Sequence, residues 1–152
     1  QAKFIANQTV EKFIRENPKV SFEITSVSPV GVMGKSLSNR EDSTSTGLQF
    51  LFKNKIASNP FVQMLYYTNA EMALVDVADV AEAVFKAATT SDLHGKNYLL
   101  SSESYPVSDI SLMLNHQDPK NSANVIYQNT LAMKDLGMKF RPIQETLNNY
   151  SK

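Results

Sequence analysis

The sequence lacks cysteine altogether, and glycine is sparse, at five of 152 residues. Without cysteine the chain has no disulfide framework, no thiolate zinc site and no cysteine nucleophile. This absence fits a reducing compartment, and we expect a cytoplasmic protein. The five glycines are scattered, so the sequence contains no G-x-G-x-x-G loop of the kind that cradles phosphates.

The sequence also lacks an excess of charge of either sign, with 15 Lys and Arg residues against 15 Asp and Glu residues. Nucleic acids and anionic membrane surfaces are bound through basic patches, which a balanced composition does not favour. The apolar runs stay well short of the roughly 20 residues that span a bilayer. We therefore expect no nucleic-acid partner and no membrane partner. At 152 residues, a single domain with a sizeable core is the default.

Metal-ligating and nucleophilic clusters are missing as well. His94 and His116 lie in polar, turn-like surroundings, and neither has a second ligand three or four residues away. The sequence therefore predicts no metal site and no Ser-His-Asp triad. Residues 34–36, Gly-Lys-Ser, resemble the end of a phosphate-binding loop, but Pro29 stands where that loop needs its first glycine.

What is present is an alternation of apolar patterns with helical and strand-like periods. Pro18 ends the first helical stripe, because proline disfavours helical backbone in the residue before it. Asp76 or Asp79 is placed to cap the N-terminus of a helix that follows or to complement its charge, and the polar stretch 36–46 predicts a surface loop. Strands alternating with helices indicate an α/β fold. The patterns predict helices at 2–17, 77–88, 107–114, 130–136 and 143–150, and strands at 21–28, 97–100 and 125–127, with 64–67 as a short strand or apolar turn.

Five short segments match, in order, the motifs of one enzyme family. Residues 1–3 and the stripe after them are similar to the end of a Tyr-x-x-x-Lys motif and the helix that carries it. Residues 28–34 resemble a Pro-x-x-x-x-Gly segment, 74–83 a strand-to-helix junction, 95–99 a G-x-x-Y strand, and 134–147 a "LGf-x-f-x-P-x-eeTL" ending. Together they resemble the carboxy-terminal part of an extended short-chain dehydrogenase/reductase in the NAD-dependent epimerase/dehydratase superfamily, most closely its dihydroflavonol-reductase-like branch.

The resemblance implies roles for several residues. In such enzymes a tyrosine hydroxyl gives a proton to the carbonyl as hydride arrives, and a lysine four residues later assists it and binds the nicotinamide ribose. Lys3 matches that catalytic and cofactor-binding lysine, and the tyrosine would lie two positions before the first residue. Pro29, Val30, Gly31 and Val32 would lie against the nicotinamide of NAD or NADP, with the backbone of the last three free to meet its carboxamide.

The resemblance also implies a small-molecule carbonyl substrate, a ketone or aldehyde of apolar character. The side chains just past the nicotinamide segment, Met33 and Ser36, and the aromatic pair Tyr66 and Tyr67 are expected to contact it. The implied fold is the carboxy-terminal portion of a Rossmann-type doubly wound parallel sheet plus a small substrate-binding lobe. Residues 1–152 would be a single incomplete domain, with the amino-terminal nucleotide-binding half absent, and we expect the isolated chain to be inactive.

A severed sheet exposes a strand edge and an apolar helix stripe. We therefore expect either a homodimer or association with the nucleotide-binding half. Two other functions stay open. A nucleotide-sugar epimerase or dehydratase of the same superfamily needs arginines for a diphosphate, and the chain has Arg15, Arg40 and Arg141. A non-catalytic NAD(P)-sensing or binding protein would keep the fold without the chemistry.

Overall fold

The structure, a computed structural model, describes residues 2–36 and 43–150 as helices and short strands in mixed order. Helices and strands alternate over most of the chain, which confirms the predicted α/β class. In chain order the elements are α1 Ala2–Glu16, β1 Ser26–Pro29, β2 Gly31–Met33, α2 Thr44–Lys53, α3 Pro60–Tyr67, β3 Glu71–Asp76, α4 Val77–Thr89, β4 Asn97–Leu100, β5 Ser104–Pro106, α5 Val107–Leu114, α6 Thr130–Asp135 and α7 Ile143–Asn148.

The chain changes strand partner between β1 and β2. β1 pairs in parallel with β4, and Val30 closes that ladder by donating its N–H to the Leu100 carbonyl at 3.0 Å. β2 then pairs in parallel with β3, whose other edge pairs antiparallel with β5. Gly31 allows this change, because a Cβ there would lie 3.0 Å from the Ala73 carbonyl oxygen. The second sheet thus starts directly where the first one ends.

β3 separates two apolar cores, because successive side chains of a strand point to opposite faces. Leu74 belongs to one core and Val75 to the other, and neither is exposed. The first core lies between β3 and helices α2, α3, α5 and α7. The second lies between β3, β4, α4 and α6. Both faces of β2 and β3 are therefore covered by apolar side chains, since Met33 and Leu74 lie in the first core and Val32 and Val75 in or against the second.

Several predicted elements are confirmed. α4 and α5 begin where the apolar periodicity begins, and α5 has the predicted bounds of 107–114. α6 and α7 lie within the predicted ranges 130–136 and 143–150. α1 ends at Glu16, two residues before the proline that was expected to stop it. β4 matches the predicted strand 97–100.

The predicted strand at 21–28 is wrong over its first five residues, because β1 begins at Ser26. Apolar and polar side chains do alternate there, but the backbone N–H groups that face this segment donate to a side chain and not to the backbone of a strand. The Glu23 carboxylate accepts from the N–H groups of Asp92 and Leu93, both at 2.9 Å. These bonds also hold the pKa of Glu23 below its usual value.

Residues 64–67 were predicted as a strand or turn and are helical. Asn59 caps α3 by accepting from the Val62 N–H at 3.0 Å, and Pro60 occupies the first turn, where a missing N–H costs nothing. Residues 125–127 form no strand, since the neighbouring bridge is limited to Asn124 and Ser104. The predicted surface loop 36–46 is shorter at its end, because α2 begins at Thr44, and residues 37–42 lie outside the described part.

α1 contributes no buried residue. Phe4 is 65% exposed and Ile5 is 58% exposed, whereas Val10 and Ile14 are half-buried. The exposed apolar face was predicted from the helical stripe. Within residues 2–36 and 43–150, no helix is both long enough and apolar enough to cross a membrane.

Candidate functional site

A cleft of about 830 Å³ lies beyond the carboxyl ends of the parallel strands β2 and β3. Clefts at this edge of a parallel sheet are the usual binding places of α/β proteins. Four segments supply its walls: the end of β2 and the residues after it, the start of α2, the first turns of α4, and the segment around α7. The lining residues are Val32, Gly34, Lys35, Ser36, Ser43, Ser45, Thr46, Asp76, Val77, Ala78, Ala81, Arg141, Glu145, Thr146 and Asn149.

Gly34 turns the chain at the end of β2. Its φ is 123°, a conformation that side-chain-bearing residues rarely adopt, and a Cβ would lie 3.1 Å from Val77 Cγ1. The Gln49 amide of α2 pairs with this residue on both sides: its Oε1 accepts from the Gly34 N–H at 3.0 Å, and its Nε2 donates to the Gly34 carbonyl at 3.2 Å. Glycine is required here by backbone conformation and by space.

Asp76 joins the start of α4 to the carboxy-terminal segment. Its Oδ1 accepts from the Ala78 N–H at 2.6 Å, which caps α4 as predicted. Its Oδ2 accepts from the Thr146 hydroxyl of α7 at 2.8 Å. Because both carboxylate oxygens are bonded and the residue is buried, Asp76 holds the cleft walls together.

Asp79 is the acidic residue in the first turn of α4, as the charge-complementing alternative predicted, and its carboxylate also makes an ion pair. Asp79 is fully buried, and it accepts from the Arg141 backbone N–H at 2.8 Å and from the Arg141 guanidinium. Burial raises the pKa of Asp79, and the hydrogen bonds and charge of Arg141 oppose that rise. The pair fixes the direction of Arg141, whose side chain is 42% exposed at the cleft.

The structure brings some of the predicted site residues to the cleft and leaves others apart. Val32 and Ser36 line it. Pro29, Val30 and Gly31 lie where the chain passes from β1 to β2, before β2 reaches the cleft. The Val30 N–H donates to the Leu100 carbonyl of β4 and is not available for a carboxamide. The prediction of a free backbone at that residue is therefore wrong for its N–H.

Met33, 1% exposed, packs in the first core, because it points away from Val32 on the opposite face of β2. Tyr66 lies edge-on to Phe52 at a centroid distance of 6.0 Å and borders a different cavity, of about 440 Å³. Tyr67 is 94% exposed, and Lys3 lies on the exposed helix α1. None of these four residues lines the cleft in the described part of the chain.

Sequence reasoning missed Gln49, Arg141 and Thr146. Gln49 had a visible signal, since it is a polar residue inside the apolar run 48–52 and is nevertheless fully buried. Arg141 and Thr146 lie in the motif-like ending, but their partners are about 60 to 70 residues away in sequence. Among residues 2–36 and 43–150, no cluster of three His, Cys, Asp or Glu residues could hold a metal ion.

The chain is similar in sequence to the NADPH-dependent methylglyoxal reductase GRE2 of Saccharomyces cerevisiae, with 24% identity over 172 residues. The match covers 97% of this chain and 48% of that protein, so the chain spans about half the length of the curated relative. No family model matches the chain.

Solved structures give the same result for the fold. The yeast methylglyoxal/isovaleraldehyde reductase Gre2, solved with NADPH, superposes with a TM-score of 0.69 at 24% identity, covering 95% of this chain and 50% of that one. Gre2 of Candida albicans, also with NADPH, gives a TM-score of 0.71 at 17% identity, covering 95% and 47%. The chain has the fold of about half of these reductases. The resemblance and the Rossmann-type fold predicted from the motifs are thereby confirmed.

Proposed function

We propose that this chain is the substrate-binding portion of an NAD(P)H-dependent reductase of small ketones or aldehydes. One observation carries the proposal: a cleft at the carboxyl ends of β2 and β3, in a chain similar to half of an NADPH-dependent reductase. The cofactor supplies the hydride when bound. Ser36 and Thr46 line the cleft, and hydroxyl groups of this kind can orient the carbonyl group of a small substrate.

The nicotinamide end of the cofactor would lie along Pro29, Val30, Gly31 and Val32. Two features of the structure support this assignment. Val32, the last residue of this segment, lines the cleft. Pro29, which has no N–H, is exposed at the end of β1. Lys3 would act with a tyrosine two positions before Gln1. That tyrosine is a simple check, because any other residue at that position in the complete gene product contradicts the reductase proposal.

The nucleotide-binding half is the proposed occupant of the exposed surface formed by α1, β1 and the outer face of α4. Within the described residues, β1 pairs with β4 alone, so its second edge carries unpaired backbone groups. Val84 and Phe85 of α4 are 52% and 68% exposed beside a cavity of about 620 Å³ that Val27 and Val84 help to line. A further strand and its helix would cover this edge and both apolar faces.

The test is an assay of the complete gene product for carbonyl-dependent loss of NADPH absorbance, with aliphatic and aromatic ketones and aldehydes. We expect turnover with the complete product and none with residues 1–152 alone. Tight binding of UDP by the complete product would favour the nucleotide-sugar alternative. NADPH binding without turnover of any carbonyl would favour a sensing protein, and either result contradicts the reductase proposal.

A further inference from the structure

We propose that Gln49 is a positioning residue for the substrate cleft, an inference that rests on the proposed reductase function. Gln49 comes from α2 and is fully buried. Its side chain joins two walls of the cleft that are distant in sequence: the turn at Gly34, which leads to Ser36, and the first turn of α2, which presents Ser45.

The hydrogen bonds of this amide leave no polar atom unused. Oε1 accepts from the Gly34 N–H, while Nε2 donates to the Gly34 carbonyl at 3.2 Å and to the Ser45 carbonyl at 3.3 Å. Nε2 also lies 3.4 Å from the Ser45 hydroxyl oxygen. A side chain that both donates to and accepts from one backbone residue fixes its orientation as well as its distance.

No neighbour could replace Gln49 in this role. Leu48 and Leu51 pack against the first core, and Phe50 is exposed. An apolar residue at position 49 would leave the Gly34 N–H and carbonyl buried without these partners. A carboxylate would accept from the N–H but would repel the Gly34 carbonyl oxygen. The amide is therefore the chemistry that this position needs.

The role concerns the substrate and not the cofactor. Gln49 bonds to Gly34 and Ser45, whereas the proposed nicotinamide segment ends at Val32, which is held by the pairing of β2 with β3. Loss of these bonds changes the distance between the Gly34 turn and the start of α2, where Ser36 and Ser45 line the cleft, and leaves the strand pairing of β1 and β2 in place.

The experiment compares Gln49→Glu and Gln49→Met with wild type in the complete gene product. The matched control is Gln63→Glu, an exposed amide of α3 that donates to the Ala57 carbonyl away from the cleft. We expect KM for the carbonyl substrate to rise roughly tenfold in both Gln49 variants, as for one lost buried hydrogen bond, with KM for NADPH unchanged. Gln63→Glu should leave both KM values at the wild-type level.

A second readout does not depend on activity. Amide hydrogen exchange at Gly34 should be faster in Gln49→Met than in wild type, while exchange in α5 should stay the same. An unchanged carbonyl KM in active Gln49 variants, or equal rises in both KM values, would overturn the positioning role alone. A wild-type product with no carbonyl reduction would contradict the proposed function, and the role of Gln49 with it.

Discussion

Gly34 and Gln49 show how single residues determine the shape of the cleft. The backbone turns into a positive-φ conformation at Gly34, and a buried amide holds both of its polar groups. A side chain at position 34 would also be crowded, since its Cβ would lie 3.1 Å from Val77 Cγ1. Local changes at these positions should therefore affect stability out of proportion to their size.

Gly34→Ala should destabilise the protein by about 1–3 kcal/mol, the cost of a side-chain-bearing residue held in a strained conformation. The control is Gly47→Ala, in α2, where an added Cβ meets no atom within 4 Å. That substitution should stabilise the protein by about 0.5–1 kcal/mol, because alanine favours helix. Urea unfolding measures both. Equal effects of the two substitutions would contradict the assignment of Gly34.

Asp109 should make stability depend on pH. Burial raises the pKa of its carboxyl, but hydrogen bonds from Asn121 and the Lys120 N–H outweigh burial, so the pKa lies below its usual value. A lowered folded-state pKa means that the contribution is present above the ordinary pKa of about 3.9 and is lost as pH falls through the folded-state value.

Asp109→Asn should cost about 1–3 kcal/mol at pH near 7, because a charge-assisted acceptor is lost from a buried site. The difference from wild type should shrink at pH near 3. Urea unfolding at the two pH values measures it. A difference that stays constant between them would show that the ionised carboxylate does not stabilise the segment at Lys120 and Asn121.

At the level of elements, strong helical periods were predictable from sequence and partner-dependent elements were not. The apolar spacing predicted α4 and α5 directly, and Asp76 is the capping residue at the start of α4. α3 is short, and its Asn-Pro start was overlooked as a capping signal. β1 begins later than alternation suggests, because Glu23 takes the hydrogen bonds before it.

In the site, too, residues within a motif were predictable and contacts between distant elements were not. The motif resemblance predicted site roles for Val32 and Ser36, and both residues line the cleft. It could not locate Gln49 or the pair of Asp79 with Arg141, since those contacts depend on how helices pack across the sheet. Met33 was predicted to contact the substrate, but it follows Val32 on a strand and therefore points to the opposite face, into the first core.

The exposed face of α1 should drive association of the isolated chain. Phe4→Ser combined with Ile5→Ser should change stability by no more than about 0.5 kcal/mol, because both side chains are exposed. The same pair should shift the chain towards monomer in size-exclusion chromatography with light scattering. Gln8→Ser, an exposed polar change on the same helix, is the control. A wild-type chain that stays monomeric at high concentration would contradict this prediction.

At the scale of the whole molecule, we propose that this chain carries the cleft and the last strands of a larger sheet. Its length, about half that of the reductase it resembles, agrees with its uncovered β1 edge and its exposed helix α1. The two parallel ladders, which meet at Val30, bring the proposed nicotinamide segment to the wall of the cleft. The proposed reaction is hydride transfer from a nicotinamide lying along this segment to a carbonyl compound bound in the cleft.

The most direct test is transfer of label from NADPH doubly deuterated at the reactive ring carbon, using the complete gene product and a small ketone or aldehyde. Chiral chromatography coupled to mass spectrometry of the product gives the answer. We predict an alcohol that carries one deuterium on the former carbonyl carbon and contains a single enantiomer at that carbon. Recovery of the unreacted carbonyl compound across the substrate panel, with NADPH unchanged, would contradict the account.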